Sequence, residues 1–102
     1  MWINLTYQGC EIQNHVDIAP HNTAKKMVLL FYPKAPIGGS NLVFIHNGTV
    51  GDWPSDCIDT DTVELIVEEG DIVIIDNTTL HAVDAHLPNE PRMCIAIEFS
   101  LY

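Results

Sequence analysis

The amino-acid sequence predicts an all-β fold of about eight short antiparallel strands. Three observations carry that expectation. Apolar and polar residues alternate over several stretches, the spacing at which successive side chains of a strand fall on opposite faces. Turn signals such as Gly38-Gly39, Asn47-Gly48 and Glu69-Gly70 recur between those stretches,. No segment demands a helix. Short strands broken by frequent turns are the pattern of a sandwich or barrel.

Taken in order, Ile3 to Gln8 alternates Ile, Leu and Tyr with Asn, Thr and Gln, and Gly9 ends it. Glu11 to Asp17 sets Ile12 and Val16 among polar residues. Lys26 to Tyr32 contains a continuous apolar run, Met27 to Tyr32, stopped by Pro33. Pro36 and Gly38-Gly39 turn the chain into Ser40 to His46, which contains Leu42-Val43-Phe44-Ile45. Residues 49 to 61, with Gly51, Pro54 and four aspartates, read as a long loop. Strands resume at Val63 to Glu68 and at Asp71 to Asp76, joined by Glu69-Gly70. The corner Asn77-Thr78-Thr79 leads to His81 to His86, and Leu87 to Pro91 turns the chain again. Arg92 to Leu101 alternates Met93, Ile95, Ile97, Phe99 and Leu101 with Cys94, Ala96, Glu98 and Ser100.

The 102 residues are read as one domain, 1–102, near the common domain size. Residues 27–32 and 72–75 are apolar enough for burial on both faces. One face of each must then be covered by something beyond the roll itself, because no amphipathic helix is available. Either the uncovered sheet packs on a second copy or the chain is the core of a larger assembly, and a homodimer is the expectation.

Fourteen acidic residues against four basic ones give a net charge of −10, which repels phosphate backbones and argues against nucleic acid as a partner. No apolar run reaches the length of a membrane helix, and the N-terminus has neither a basic region nor a long apolar stretch. Cys10, Cys57 and Cys94 are widely spaced and form no zinc pair. That usage favours a reducing compartment, so the expected location is cytoplasmic. The Asn-x-Thr triplets at Asn4, Asn47 and Asn77 are read as coincidental in that setting.

The candidate chemistry begins at His15-Val16-Asp17. On a strand, residues two apart share a face, so one imidazole and one carboxylate aim at a common point. His81 offers a third ligand. Two histidines and a carboxylate with open positions opposite suit non-haem Fe(II). Arg92 carries a planar fork that holds a carboxylate bidentately.

The ordered series Tyr7, His15-Val16-Asp17, Gly38-Gly39, Gly70-Asp71, His81 and Arg92 resembles the 2-oxoglutarate and Fe(II)-dependent oxygenases, particularly the prolyl-hydroxylase-like branch. The likeness runs from Ile3 to Phe99. It implies a double-stranded β-helix (a jelly roll, cupin-like) reduced to its minimal core. In that family the His-x-Asp closes the second strand, the distal histidine lies near the seventh, and the basic residue follows about ten positions later on the eighth. The resemblance implies His15, Asp17 and His81 as metal ligands. It implies Arg92, with help from Tyr7 on the first strand, as the holder of the distal carboxylate of 2-oxoglutarate. A second tyrosine, common on the third strand of prolyl hydroxylases, corresponds to the stretch Leu30 to Tyr32. Cys94 stands where many relatives carry Ser or Thr, and the helices that buttress the larger sheet in relatives have no counterpart.

The implied activity is hydroxylation of a small molecule or a peptide side chain, a prolyl residue being the nearest analogy. Molecular oxygen and 2-oxoglutarate are co-substrates, and succinate and carbon dioxide are released. Two other readings are a cupin-like metal module without redox turnover and a structural β-domain. His21 and His46 read as solvated histidines, Trp2 and Trp53 as packing residues, and a second metal site at Asp84 and His86 is disfavoured. Residues 18–25 and 49–61 are expected to rim the pocket.

Overall fold

The structure, a computed structural model, describes residues 1–16, 26–45 and 62–100. It is all-β, with no helix among the described residues. The strands are β1 (Trp2–Thr6), β2 (Ile12–His15), β3 (Met27–Lys34), β4 (Leu42–Ile45), β5 (Thr62–Leu65), β6 (Ile72–Asp76), β7 (His81–Val83) and β8 (Arg92–Phe99). They form two four-stranded antiparallel sheets, ordered β1-β8-β3-β6 and β2-β7-β4-β5. The pairings are nested: β4 with β5, β3 with β6, β2 with β7 and β1 with β8. Two further ladders, β3 with β8 and β4 with β7, close each sheet.

Several boundaries differ from those the alternation predicts. β1 ends at Thr6, because Cys10 N–H donates to the Tyr7 carbonyl (3.0 Å) and closes a turn. Gly9 takes φ +81° there, the left-handed geometry that the third residue of such a turn requires. β3 runs through Pro33 to Lys34, and its pairing with β8 shifts register between Phe31 and Lys34. A bulge is where a strand tolerates a residue without an N–H. β7 stops at Val83, beyond which Asp84 turns to bond the Asn41 backbone in both directions.

The core lies between the sheets. Val28, Leu30 and Tyr32 of β3 and Cys94 and Ala96 of β8 pack with Leu42, Val67 and Ile75. In β3 every second side chain is buried and its neighbours are only half-buried. Ile72 and Ile74 of β6 are 61% and 53% exposed, so burial on both faces, expected for 72–75, is not achieved within one chain. No helix among the described residues is long and apolar enough to cross a membrane.

His86 is a structural residue. It is fully buried, and its Nδ1 accepts from the Ser40 N–H (3.1 Å) while lying 3.0 Å from the Ser40 hydroxyl. Its Nε2 donates to the Glu90 carbonyl (2.6 Å). A Cβ on Gly39 would come within 2.9 Å of the ring, so the turn tolerates only glycine there. With both nitrogens engaged, His86 has no vacancy for a second metal.

Candidate functional site

Between the sheets lies a cavity of about 290 Å³, at the lower end of the size range for small-molecule sites. Arg92, the first residue of β8, and His81, the first of β7, both line it. A larger open hollow of about 830 Å³ adjoins the Pro36–Gly39 turn, but its ionisable lining is limited to Glu68 and Glu69. Of these two, the smaller combines an imidazole with a cation.

The corner after β6 delivers His81. Asp76 Oδ1 accepts from the Thr78 N–H (2.8 Å) and hydroxyl (2.7 Å), and Thr79 N–H donates to the Asp76 carbonyl (3.0 Å). Buried Asn77 ties that corner to Lys26, its N–H donating to the Lys26 carbonyl and its Oδ1 accepting from the Lys26 N–H. His81 is 4% exposed, and its Nδ1 lies 2.8 Å from the Thr79 carbonyl. A carbonyl can only accept, so Nδ1 carries a proton and donates this bond. Such a backbone contact is the support that a metal-ligating histidine ordinarily has.

His15 stands opposite His81 in the β2–β7 register, with a shift between Ile12 and His15. Asp17 lies outside the described residues, as do His21, His46, Trp53 and the two segments expected to rim the pocket. Among the described residues no three metal-donor side chains form a cluster.

Arg92 is 2% exposed. Its Nη1 donates to Thr6 Oγ1 at 3.4 Å, its partner in the β1–β8 register. Its guanidinium carbon sits 4.7 Å from the centre of the Tyr32 ring, within cation–π range. Among the described residues the Nε has no hydrogen-bond partner, and neither does the Tyr32 hydroxyl. The other two described cations are matched, Lys26 with Glu98 (3.3 Å) and Lys34 with Glu90 (3.9 Å), whereas no described carboxylate pairs with Arg92. In a chain carrying −10 overall, a buried guanidinium without an anion is costly by several kcal/mol.

Burial pushes the Tyr32 hydroxyl well above its ordinary value of 10.0, the Cys94 thiol adds to the rise, and Arg92 opposes both. Tyr32 is therefore a neutral phenol, able to donate. Its backbone is pinned to the turn before β6, its N–H donating to Asp71 and its carbonyl accepting from Gly70. The tyrosine beside Arg92 is thus Tyr32 on β3. Tyr7, expected on β1, follows that strand, is 55% exposed and does not line the cavity. The hydroxyl at the guanidinium is that of Thr6, and Cys94 lines the cavity with a thiol. Trp2 is half-buried at the cavity wall. The sequence signal for Tyr32 was its place on the third strand, but the unbroken apolar run hid which face it occupies.

No family model, curated protein or solved structure matches this chain.

Proposed function

We propose that the chain is an Fe(II)- and 2-oxoglutarate-dependent dioxygenase on a double-stranded β-helix. The nested pairing of β1 with β8 through β4 with β5, divided between two sheets, supports the jelly-roll reading. The observation that carries the functional reading is Arg92: a buried cation with no described carboxylate, sharing one cavity with the buried His81, whose Nδ1 is bonded to the Thr79 carbonyl.

The donor chemistry fits the metal. His81 and His15, register partners across β2 and β7, would provide two imidazoles. Asp17 would supply the anionic oxygen from the end of the same strand. Bound Fe(II) with 2-oxoglutarate supplies oxidation of an unactivated C–H bond. The chain's own residues bind and orient. Arg92 grips the distal carboxylate with its fork, Thr6 holds one nitrogen of that fork, and Tyr32 stacks on it and donates its phenolic proton to the same carboxylate. Ile12, Leu30, Leu42 and Val83 keep the cavity dry, which strengthens those contacts. A metal module without turnover would leave Arg92 with nothing to bind. The substrate oxidised is a small molecule or a peptide side chain.

Anaerobic titration with Fe(II), with and without 2-oxoglutarate, tests this. The expected result is a weak visible absorption near ~500 nm only when metal and 2-oxo acid are both present, as expected of a chelate at such a site. Absence of that band together with absence of succinate formation in air would sink the reading.

A further inference from the structure

We infer that the outer face of the β1-β8-β3-β6 sheet is the interface of a two-fold symmetric homodimer. Alternation puts Thr6, Tyr32, Arg92 and Cys94 on the inner face, and leaves an outer face built of aligned apolar rows. One row crosses all four strands, Ile3–Ile95–Phe31–Ile72, and the next runs Ile97–Leu29–Ile74. Leu5 with Met93 and Phe99 with Met27 flank them. Ile3, Ile72, Ile74 and Ile97 are 57%, 61%, 53% and 42% exposed. Charges enter at the two ends: Asp76 at one, its carboxylate bonded to Thr78, and Lys34 at the other, opposite Met93.

The area suits a dimer. A strand spacing of about 4.8 Å and a rise of about 3.3 Å per residue give the face a footprint of roughly 400 Å². The relief of the side chains raises the accessible area above that figure. Pairing two copies then removes upwards of roughly 800 Å² in total, the low end for a specific interface, from a face that already matches the ~300–600 Å² of the largest patch on a typical monomer.

The composition favours a second copy over a different protein. Charged groups and hydrogen-bond donors are what select a foreign partner, and those rows carry neither. Apolar, charge-depleted interfaces are characteristic of homodimers. Two such sheets pack face to face about 10 Å apart, and a two-fold axis through the centre matches the same patch to itself and closes the assembly. Because each chain carries −10, added salt should tighten the association by screening.

Sedimentation and light scattering on the full chain test the assignment. The expected mass is twice 11.4 kDa, with dissociation as salt falls. Ile74→Lys and Ile97→Glu should each halve it, while Ile66→Glu, at an exposed position outside this sheet, should not. Circular dichroism separates a folded monomer from an unfolded variant. If both variants unfold, Ile97→Cys decides instead: oxidation should link it to its own counterpart, as a residue near a two-fold axis requires, and leave Ile66→Cys unlinked. A monomeric wild-type chain, open-ended aggregates, or a dimer indifferent to both face variants and the Ile97 cross-link would overturn the inference. A monomer would leave the face to a different protein.

Discussion

Replacing Arg92 by methionine separates a ligand-binding guanidinium from a structural one. On the side of folding, the variant loses the stack on Tyr32, about 1–2 kcal/mol for a desolvated pair. It also loses the 3.4 Å bond to Thr6, which at that length contributes under about 1 kcal/mol. Against this, it removes a cation that is 2% exposed and has no described carboxylate, relieving a desolvation cost of several kcal/mol. The balance predicts an apo fold of unchanged stability, or one more stable by about 1–3 kcal/mol. On the side of binding, the fork's two charge-assisted hydrogen bonds to a carboxylate contribute about 1.5–3 kcal/mol each. Their loss should weaken 2-oxoglutarate by roughly 10²- to 10⁴-fold, at about 1.4 kcal/mol per tenfold. Fe(II) affinity should not change. Arg92→Lys should fall between, keeping the charge but not the fork. Urea unfolding of the apo chain at fixed concentration gives the first quantity, and anaerobic titration of the Fe(II)-loaded chain the second. A stability loss of about 3 kcal/mol or more with unchanged 2-oxoglutarate affinity would refute the reasoning and make Arg92 a structural residue.

Three other perturbations bear on the site and its frame. His81→Ala and Asp17→Ala should each abolish stoichiometric Fe(II) binding, read by metal analysis after dialysis; retention in both would remove the proposed ligand set. Tyr32→Phe should change the alkaline limb of stability. Because the folded-state value of Tyr32 lies above its unfolded 10.0, its contribution is complete below about pH 10 and is lost as pH rises through the folded value. The stability of the wild type relative to the variant should therefore fall above that pH, and a difference independent of pH from 8 to 11 (an approximate window) would contradict the burial of the neutral phenol. His86→Ala strands the Ser40 N–H and the Glu90 carbonyl and opens a void. It should cost about 3–5 kcal/mol, seen as a lower urea midpoint at constant slope; a loss under ~1 kcal/mol would show that the ring is dispensable.

Strand number and most strand positions were legible because they rest on local causes. A period of two, Gly9 and Gly70 at turns, and the Asn77-Thr78-Thr79 corner each act within a few residues. His81 and Arg92 could be singled out for the same reason, as chemically apt side chains at strand starts. Tyr32 could not. Met27 to Tyr32 is apolar throughout, so its pattern carries no information about which face meets the cavity. Tyr7, by contrast, sits in a clean alternation that ends one residue too soon, because the Tyr7–Cys10 turn captures it.

By itself, then, the sequence determined the all-β class, the turns between strands and the residue types able to hold an anion and a metal, since propensity and spacing are short-range. Only the tertiary structure decided that Thr6, Tyr32 and Arg92 meet, because sixty or more residues separate Tyr32 from Arg92 in a pairing no local rule encodes. The sheet order decided it, and the same order left one apolar face outward, with side chains such as Ile72 and Ile74 exposed on it.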